Sequence, residues 1–156
     1  MTAQTLFEIA QLHARYAAAV DSADWDAWVA LFTPDCVYKI IPRENFERGL
    51  PLATLAFDSQ AMLKDRVYAI RETLFHDPYY QRHVVGQPLL LGEEGGVLRC
   101  EAHYAVFRTK LSGLSSVFNV GRTLDRIVRT PGGLKFAERL CVYDSEMIPN
   151  SLIYPI

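Results

Sequence analysis

Apolar residues recur at helical spacing in three segments of the first half of the chain. The first segment runs from Thr5 to Val20 and the second from Trp25 to Phe32. The third begins at an N-cap, Asp58 or Ser59, and ends near Phe75. Its apolar positions fall at i, i+4, i+7 and i+11: Leu63, Val67, Ile70 and Leu74. This spacing puts apolar side chains on one face of a helix, so it predicts three helices.

From residue 81 onward the apolar pattern changes to a period of two, which is typical of half-buried strands. Four strands are predicted, at Gln81–Leu91, Leu98–Val106, Ser116–Arg129 and Leu134–Asp144. Gly86 and Pro88 indicate a bulge or an edge position in the first of them. Short glycine-containing turns separate the last three strands, which we therefore expect to form an antiparallel series.

Two shorter strands precede the third helix. They are Val37–Ile41 and Thr54–Phe57, and a charged loop lies between them. Helices followed by a long antiparallel series predict an α+β fold with the helices on one face of the sheet. Strands this long twist and curl, so we expect an open cone around the third helix. The 156 residues are enough for one domain, residues 1–156, and too few for two good cores.

The charge of the chain excludes some partner classes. A formal net charge of −2 gives no electrostatic reason to expect binding to nucleic acid or to an anionic membrane surface. The first residues lack the basic start and apolar stretch of a signal peptide, and no apolar run approaches about 20 residues. Three widely spaced cysteines, Cys36, Cys100 and Cys141, indicate reduced core residues. We therefore expect a cytoplasmic protein.

The histidines and cysteines do not have the spacing of common metal sites. No Cys-x-His, Cys-x-x-His or His-x-x-x-His pair has a plausible second half elsewhere in the sequence, so a Rieske cluster has no complete ligand set here. Counting residues leaves a site of two histidines and a carboxylate open. Glycine-rich phosphate loops and a Gly-x-Ser-x-Gly motif do not occur.

General acid–base chemistry needs only one base and one hydrogen-bond donor in an apolar pocket. Tyr38, His83, His103 and Asp35 can converge in such a pocket if the cone is open. Alternatively, Tyr38 and His83 hydrogen-bond within the core and Asp35 caps a turn. For Arg66, between core positions of the third helix, we expect a buried ion pair with a carboxylate such as Asp35.

Two segments are candidates for protein contacts. The loop after Pro42 contains five polar or charged residues in a short span: Arg43, Glu44, Asn45, Glu47 and Arg48. Such a loop is either simply solvated or shaped for a protein contact. The C-terminal segment from Met147 to Ile156 is unusually apolar, so we expect it to dock on another surface.

The sequence resembles the small (β) subunits of aromatic-ring-hydroxylating oxygenases, the Rieske non-haem iron enzymes. The resemblance runs from the first helix to about Val85. It lies in these motifs: Trp28…Leu31-Phe32…Asp35…Tyr38, Arg43-Glu44-Asn45, Gly49-Leu50-Pro51, Asp58…Met62-Leu63…Asp65-Arg66-Val67 and Arg82-His83-Val84. The form of the charged loop is similar to that of small subunits whose oxygenases act on ring carboxylates, such as salicylate 5-hydroxylase.

The resemblance implies a cystatin-like or NTF2-like cone and an α3β3 hexamer. The large (α) subunit would hold the [2Fe-2S] Rieske cluster and the mononuclear Fe(II). Ferredoxin and reductase would act on the complex, and this chain would carry no cofactor. The small subunits would contact one another as a trimer. Interface candidates are Arg43, Glu44, Asn45, Glu47, Arg48, Arg82, His83, Ile148, Leu152, Ile153 and Tyr154.

The alternative is a stand-alone NTF2-like dehydratase or isomerase. Such an enzyme would use Tyr38, His83 and Asp35 in the cone pocket. The two hypotheses differ in what Tyr38→Phe and His83→Ala would change. The enzyme would lose turnover, whereas the structural subunit would lose only stability. A non-enzymatic module that binds a small molecule is a third alternative.

Overall fold

The computed structural model describes residues 2–147 and 152–156. The helices are α1 (Ala3–Asp21), α2 (Trp25–Ala30), α3 (Arg43–Glu47) and α4 (Gln60–Tyr68), and a π-helical turn (Ala69–Thr73) extends α4. The strands are β1 (Phe32–Pro42), β2 (Leu55–Phe57), β3 (Tyr79–Val85), β4 (Leu89–Glu94), β5 (Val97–Lys110), β6 (Ser116–Thr130) and β7 (Gly133–Tyr143).

Side-chain caps fix where the predicted helices begin. The Oγ1 atom of Thr2 accepts from the Thr5 amide at 3.2 Å, and the Asp24 carboxylate accepts from the Ala27 amide at 3.1 Å. Ser59 caps α4 by accepting from the Met62 amide at 3.2 Å. Each cap satisfies one of the amides that the first turn of a helix leaves without a partner.

The strands form one seven-stranded sheet in the order β2-β1-β7-β6-β5-β3, with β4 also paired to β5. β1 and β7 run parallel, and the other pairs are antiparallel. Helix α1 packs against β7 in the middle of the sheet and against β3 at its edge, so the sheet curves around this helix. The predicted α+β class and mostly antiparallel cone are confirmed, although α1 and not the third predicted helix spans the curved face.

Three local predictions need correction. The charged loop contains the short helix α3, in which Arg43 and Glu47 pair at i and i+4 with an N–O distance of 2.9 Å. The single strand predicted from Gln81 to Leu91 is two strands, β3 and β4, which pair with successive parts of β5. Phe32 belongs to β1 and not to the second helix.

The core inside the curved sheet is rich in aromatic side chains. Tyr16, Phe32 and Phe136 lie against one another with ring centroids 5.5 to 6.3 Å apart, and Trp28 and Tyr38 extend this cluster. Edge-to-face pairs at this distance add to the stabilisation from burial alone. Among the helices of the described residues, none is long and apolar enough to cross a membrane.

Candidate functional site

The C-terminal residues enter the cone, and their last residue lies at its centre. Tyr16 and Tyr38 both donate a hydroxyl hydrogen bond to the main-chain oxygen of Ile156, at 2.5 and 2.8 Å. The Ile156 amide donates to the Tyr38 hydroxyl at 3.1 Å, and the Cys141 thiol lies 3.5 Å from the same oxygen. The polar groups of Ile156 are therefore bound by side chains from α1, β1 and β7.

Two further side chains bind main-chain oxygens of this segment. The Nη2 atom of Arg66 donates to the Leu152 and Ile153 oxygens, both at 2.8 Å, and Gln81 Nε2 donates to the Pro155 oxygen at 3.2 Å. Burial lowers the pKa of Arg66 from its usual value. The expected ion pair with Asp35 is therefore wrong, because the Arg66 guanidinium binds main-chain carbonyls.

An aromatic cage holds Tyr154. Its ring centroid lies 4.6 Å from that of Tyr79, 5.1 Å from that of His76 and 5.4 Å from that of Trp25. The Tyr154 hydroxyl is also 2.6 Å from His76 Nε2. Tyr154 thus anchors the C-terminal segment to both the helices and the sheet.

The prediction that this segment supplies a subunit contact needs correction. Leu152 and Ile153 are buried in the chain's own core, and Tyr154 is partly buried in its cage. An apolar side chain that its own cone covers is not available to a second subunit. The candidate Ile148 lies outside the described residues.

The four acid–base candidates do not converge. Tyr38 is fully buried, and burial raises its pKa well above the usual value. His83 Nδ1 lies 2.6 Å from the Asp21 carboxylate, which also accepts from the His83 amide at 2.8 Å. Asp35 is exposed on β1, and the side chain of His103 is 80% exposed on the other face of the sheet.

The placement of His83 corrects its role as an interface candidate. Its side chain is only 3% exposed, because alternate residues of β3 point towards α1. The sequence analysis did not predict that His83 pairs with Asp21, which is the last residue of α1. Arg82, the residue before His83 on β3, is exposed on the outer face and stays an interface candidate.

A buried network of charges was also missed by sequence reasoning. Asp125 Oδ2 accepts from Arg139 Nη1 at 2.9 Å and from Thr123 Oγ1 at 3.1 Å, and it lies 3.2 Å from His13 Nε2. The Arg139 guanidinium also lies 4.0 Å from the ring centroid of Tyr16. Burial lowers the pKa of His13, although the Asp125 carboxylate opposes this shift. The buried Asp125 and Arg139 charges therefore compensate each other.

A signal for this network exists in the sequence. Asp125 and Arg139 both fall at inward-facing positions of their alternating strands, and they are direct neighbours in the β6–β7 register. Two opposite charges at core positions of consecutive antiparallel strands predict a buried pair once the register is known. The register was not fixed by the sequence, so the pair was not found.

The charged residues of α3 mainly pair within their own helix. Arg48 Nη1 lies 3.0 Å from the Glu44 carboxylate, and Asn45 donates to the Leu52 oxygen at 3.0 Å. Arg43, besides its pairing with Glu47, lies 3.5 Å from the Asp144 carboxylate. Arg43, Glu44, Glu47 and Arg48 are more than half exposed in their side chains, and with Asn45 they stay interface predictions.

The outer face of the sheet carries an apolar strip that the sequence analysis did not single out. Val84, Ala105 and Val120 are direct neighbours across β3, β5 and β6, and Phe107 and Val117 are paired beside them. We call these five residues the outer strip. Its three valines keep 40% to 59% of their surface exposed. Contiguous exposed apolar side chains of this kind often mark a protein contact.

No metal centre is apparent in the part of the chain that the structure describes. Within residues 2–147 and 152–156, no group of three or more His, Cys, Asp or Glu side chains is placed to hold a metal ion. The three cysteines are buried, and burial raises the pKa of the Cys36 and Cys141 thiols to about 11. These thiols therefore stay protonated near neutral pH.

Comparison with known proteins gives consistent matches along the chain. Residues 2–140 match the SnoaL-like domain family. The chain is 33% identical over 153 residues to the small subunit of anthranilate 1,2-dioxygenase from Burkholderia cepacia, which covers 98% of this chain and 95% of the relative. It is 32% identical over 149 residues to a β subunit of the terminal oxygenase component of terephthalate 1,2-dioxygenase from Comamonas, with 96% and 97% covered.

The overall shape also agrees with a solved structure. The crystal structure of a Novosphingobium aromaticivorans protein, assigned as the β subunit of an aromatic-ring-hydroxylating dioxygenase, superposes with a TM-score of 0.89. The two sequences are 35% identical, and the match covers 97% of each chain. The resemblance therefore extends well beyond Val85 and includes the β5–β7 strands.

Proposed function

This chain belongs to the SnoaL-like family and, within it, to the small subunits of aromatic-ring-hydroxylating dioxygenases, and from this premise we propose that it supports a catalytic large subunit without catalysing the reaction itself. The proposed assembly is an α3β3 hexamer in which small subunits contact one another as a trimer. The large subunit supplies the [2Fe-2S] Rieske cluster and the mononuclear Fe(II), and ferredoxin and reductase deliver electrons to it.

The observation that carries the proposal is the exposed outer strip. An isolated domain gains nothing by leaving Val84, Val117 and Val120 in water, whereas a subunit contact buries them. Arg82 and the α3 charges lie outside the core and supply a polar rim for such a contact. A mixed apolar and polar surface of this kind is typical of protein interfaces.

The filled cone argues against the alternative of a stand-alone dehydratase or isomerase. That enzyme needs Tyr38, His83 and Asp35 around one open pocket. The Tyr38 hydroxyl is instead bound to Ile156, His83 to Asp21, and Asp35 is exposed. Geometry comes before pKa in judging a catalytic group, and this geometry leaves no room for a substrate beside these side chains.

The substrate class of the assembly is proposed to be an aromatic carboxylate. The named relatives belong to dioxygenases of anthranilate and terephthalate, and both of these compounds are aromatic acids. A salicylate-type enzyme falls within the same class. The large subunit selects the substrate in this proposal. The substrate class is therefore inferred from the related dioxygenases and not from a pocket in this chain.

The experiment introduces a charge into the outer strip. In the variant Val84→Asp/Val120→Asp, two carboxylates replace neighbouring apolar side chains, and burying them unpaired is costly. We expect the affinity between subunits to fall at least about a hundredfold in sedimentation velocity of the complex co-expressed with its large subunit. The isolated chain should keep its circular dichroism spectrum, because both positions face away from the core.

Tyr68→Asp is the matched control. Tyr68 is 63% exposed on α4, which packs against α2, β1 and β2, whereas the outer strip lies on β3, β5 and β6, so its replacement should leave the assembly unchanged. An intact hexamer in the double variant would refute the strip as the contact. Dissociation by both variants would mean that added charge alone weakens the complex.

A further inference from the structure

A short loop beside α3 holds two leucines in water. Residues 49–52 (Gly-Leu-Pro-Leu), which we call the apolar loop, lead from α3 towards β2 and leave Leu50 45% and Leu52 73% exposed. Hydrogen bonds fix the shape of the loop, because the Leu50 amide donates to the Asn45 oxygen at 2.8 Å and the Asn45 side chain donates to the Leu52 oxygen at 3.0 Å. A loop that is already fixed loses little conformational entropy when it docks, so its exposed leucines suit a protein contact.

The outer strip needs a different surface as its partner in a trimer. Copies around a threefold axis meet head to tail, so a patch on one copy faces a different patch on the next copy. The outer strip lies on β3, β5 and β6, whereas the apolar loop leads to β2 at the opposite edge of the sheet. Leu111 and Leu114 are also exposed, but their turn joins β5 to β6 and lies at the end of the strip's own strands. One copy can therefore use its strip and its apolar loop for two neighbours at the same time.

The charges beside the two surfaces are complementary. Arg82 is exposed next to the strip, since it is the neighbour of Phe107 in the β3–β5 register, and it forms no ion pair in the part of the chain that the structure describes. Glu44 and Glu47 on α3 come shortly before the apolar loop, and among the described residues they use only their Oε1 atoms to pair with nearby arginines. Each carboxylate therefore has a second oxygen that can accept from a guanidinium of a neighbouring copy.

We propose that the apolar loop of one small subunit packs on the outer strip of the next small subunit, with Leu52 against Val120 and Arg82 facing the carboxylates of α3. The inference rests on the proposed trimer and adds which two surfaces meet in it. Three identical contacts of this kind close the ring. The large subunit then binds to other surfaces of the chain.

The first test places charges at both positions of one chain. Leu52→Asp/Val120→Lys puts opposite charges across the contact, whereas Leu52→Asp/Val120→Asp puts like charges there. In sedimentation velocity of the complex with the large subunit, we expect the opposite-charge variant to hold its small subunits together at least about tenfold more tightly. The matched controls are Tyr68→Asp/Val120→Lys and Tyr68→Asp/Val120→Asp, because Tyr68 is 63% exposed on α4 and away from both surfaces. The two controls should associate with similar affinity, and an equal difference in both pairs of variants would overturn the proposal.

Cross-linking identifies the neighbouring surface directly. The three native cysteines are buried, so Leu52→Cys/Val120→Cys adds two accessible thiols to the chain. In the complex with the large subunit, a short bismaleimide should link small subunits into covalent dimers and trimers. Either single variant should leave the small subunits unlinked to one another, because like positions do not meet in a head-to-tail contact.

The outcomes separate this inference from the proposed function. An intact hexamer in which the double cysteine variant gives no covalent trimer, or links only to the large subunit, would overturn the inference and leave the proposed function standing. Small subunits that do not assemble with a large subunit at all would overturn both.

Discussion

The buried pair between Arg139 and Asp125 makes the account of the core quantitatively testable. The substitution Arg139→Met keeps the unbranched apolar stem of the side chain but removes the guanidinium that donates to Asp125 at 2.9 Å. The same guanidinium lies 4.0 Å from the ring of Tyr16. Removing one partner of a buried pair leaves an uncompensated charge and costs about 3–5 kcal/mol. This is a large part of the roughly 5–15 kcal/mol by which domains are stable.

His13 makes that cost depend on pH. In the unaltered protein, burial lowers the pKa of His13 and the Arg139 charge lowers it further, so the protonated ring is disfavoured. In Arg139→Met the repulsion is gone and Asp125 still lies 3.2 Å away, so the pKa of His13 rises. A His whose folded pKa rises stabilises the fold at low pH and loses this effect as pH increases. The cost should therefore be smaller at about pH 5.5 than at about pH 8.

The assay is urea unfolding at both pH values, followed by tryptophan fluorescence. The control is Arg126→Met, because Arg126 is an exposed residue of the same strand as Asp125; it should cost less than about 0.5 kcal/mol. In the double variant Asp125→Leu/Arg139→Met the loss should be smaller than in Arg139→Met alone, since no charge is left unpaired. A cost below about 1 kcal/mol for Arg139→Met at both pH values, with an unchanged m value, would refute the reasoning.

Three other substitutions test separate parts of the structure. Gly121→Ala would place a Cβ atom against the main-chain oxygen of Val142, so the free energy of unfolding measured in urea should fall by about 3 kcal/mol. In the control Gly113→Ala, the added Cβ has no neighbouring atom closer than 3.9 Å, so the change should be less than about 0.5 kcal/mol. Arg66→Leu removes the donors to two main-chain oxygens, so hydrogen exchange should accelerate in the C-terminal residues and no change there would contradict the assigned contact. The free energy of unfolding should decline as pH falls below about 6.5, because His13 binds a proton more readily in the unfolded chain than in the buried site. His13→Gln should flatten this decline in urea titrations, and an equal slope in both proteins would exclude His13 as its source.

The sequence was most informative where a pattern is local. Periodic apolar positions and N-caps predicted α1, α2 and α4, and alternation predicted β5, β6 and β7 with small errors at their ends. The division between β3 and β4 was missed because Gly86 and Pro88 were interpreted as a bulge or an edge position within one strand, whereas the strand ends at Val85 and a second one begins at Leu89. Helix α3 was missed because five residues are too few to show a helical period.

The candidate site was predictable only in part, because its contacts join residues that are distant in the chain. The sequence indicated that Tyr38 and His83 hydrogen-bond within the core, as one of two alternatives. It could not supply their partners, Ile156 and Asp21, which lie 118 and 62 residues away. The apolar C-terminal segment was expected to dock, but alternation and composition cannot distinguish a neighbouring subunit from the chain's own cone.

Native mass spectrometry with iron analysis tests the central claim most directly. The chain would be tagged and purified together with the large subunit from the host that produces both, so that the native assembly is preserved. The account predicts a hexamer with three copies of each chain, and iron that leaves with the large subunit when the complex is dissociated. A chain that runs without a larger iron-containing partner, while that partner assembles and turns over an aromatic carboxylate alone, would contradict it.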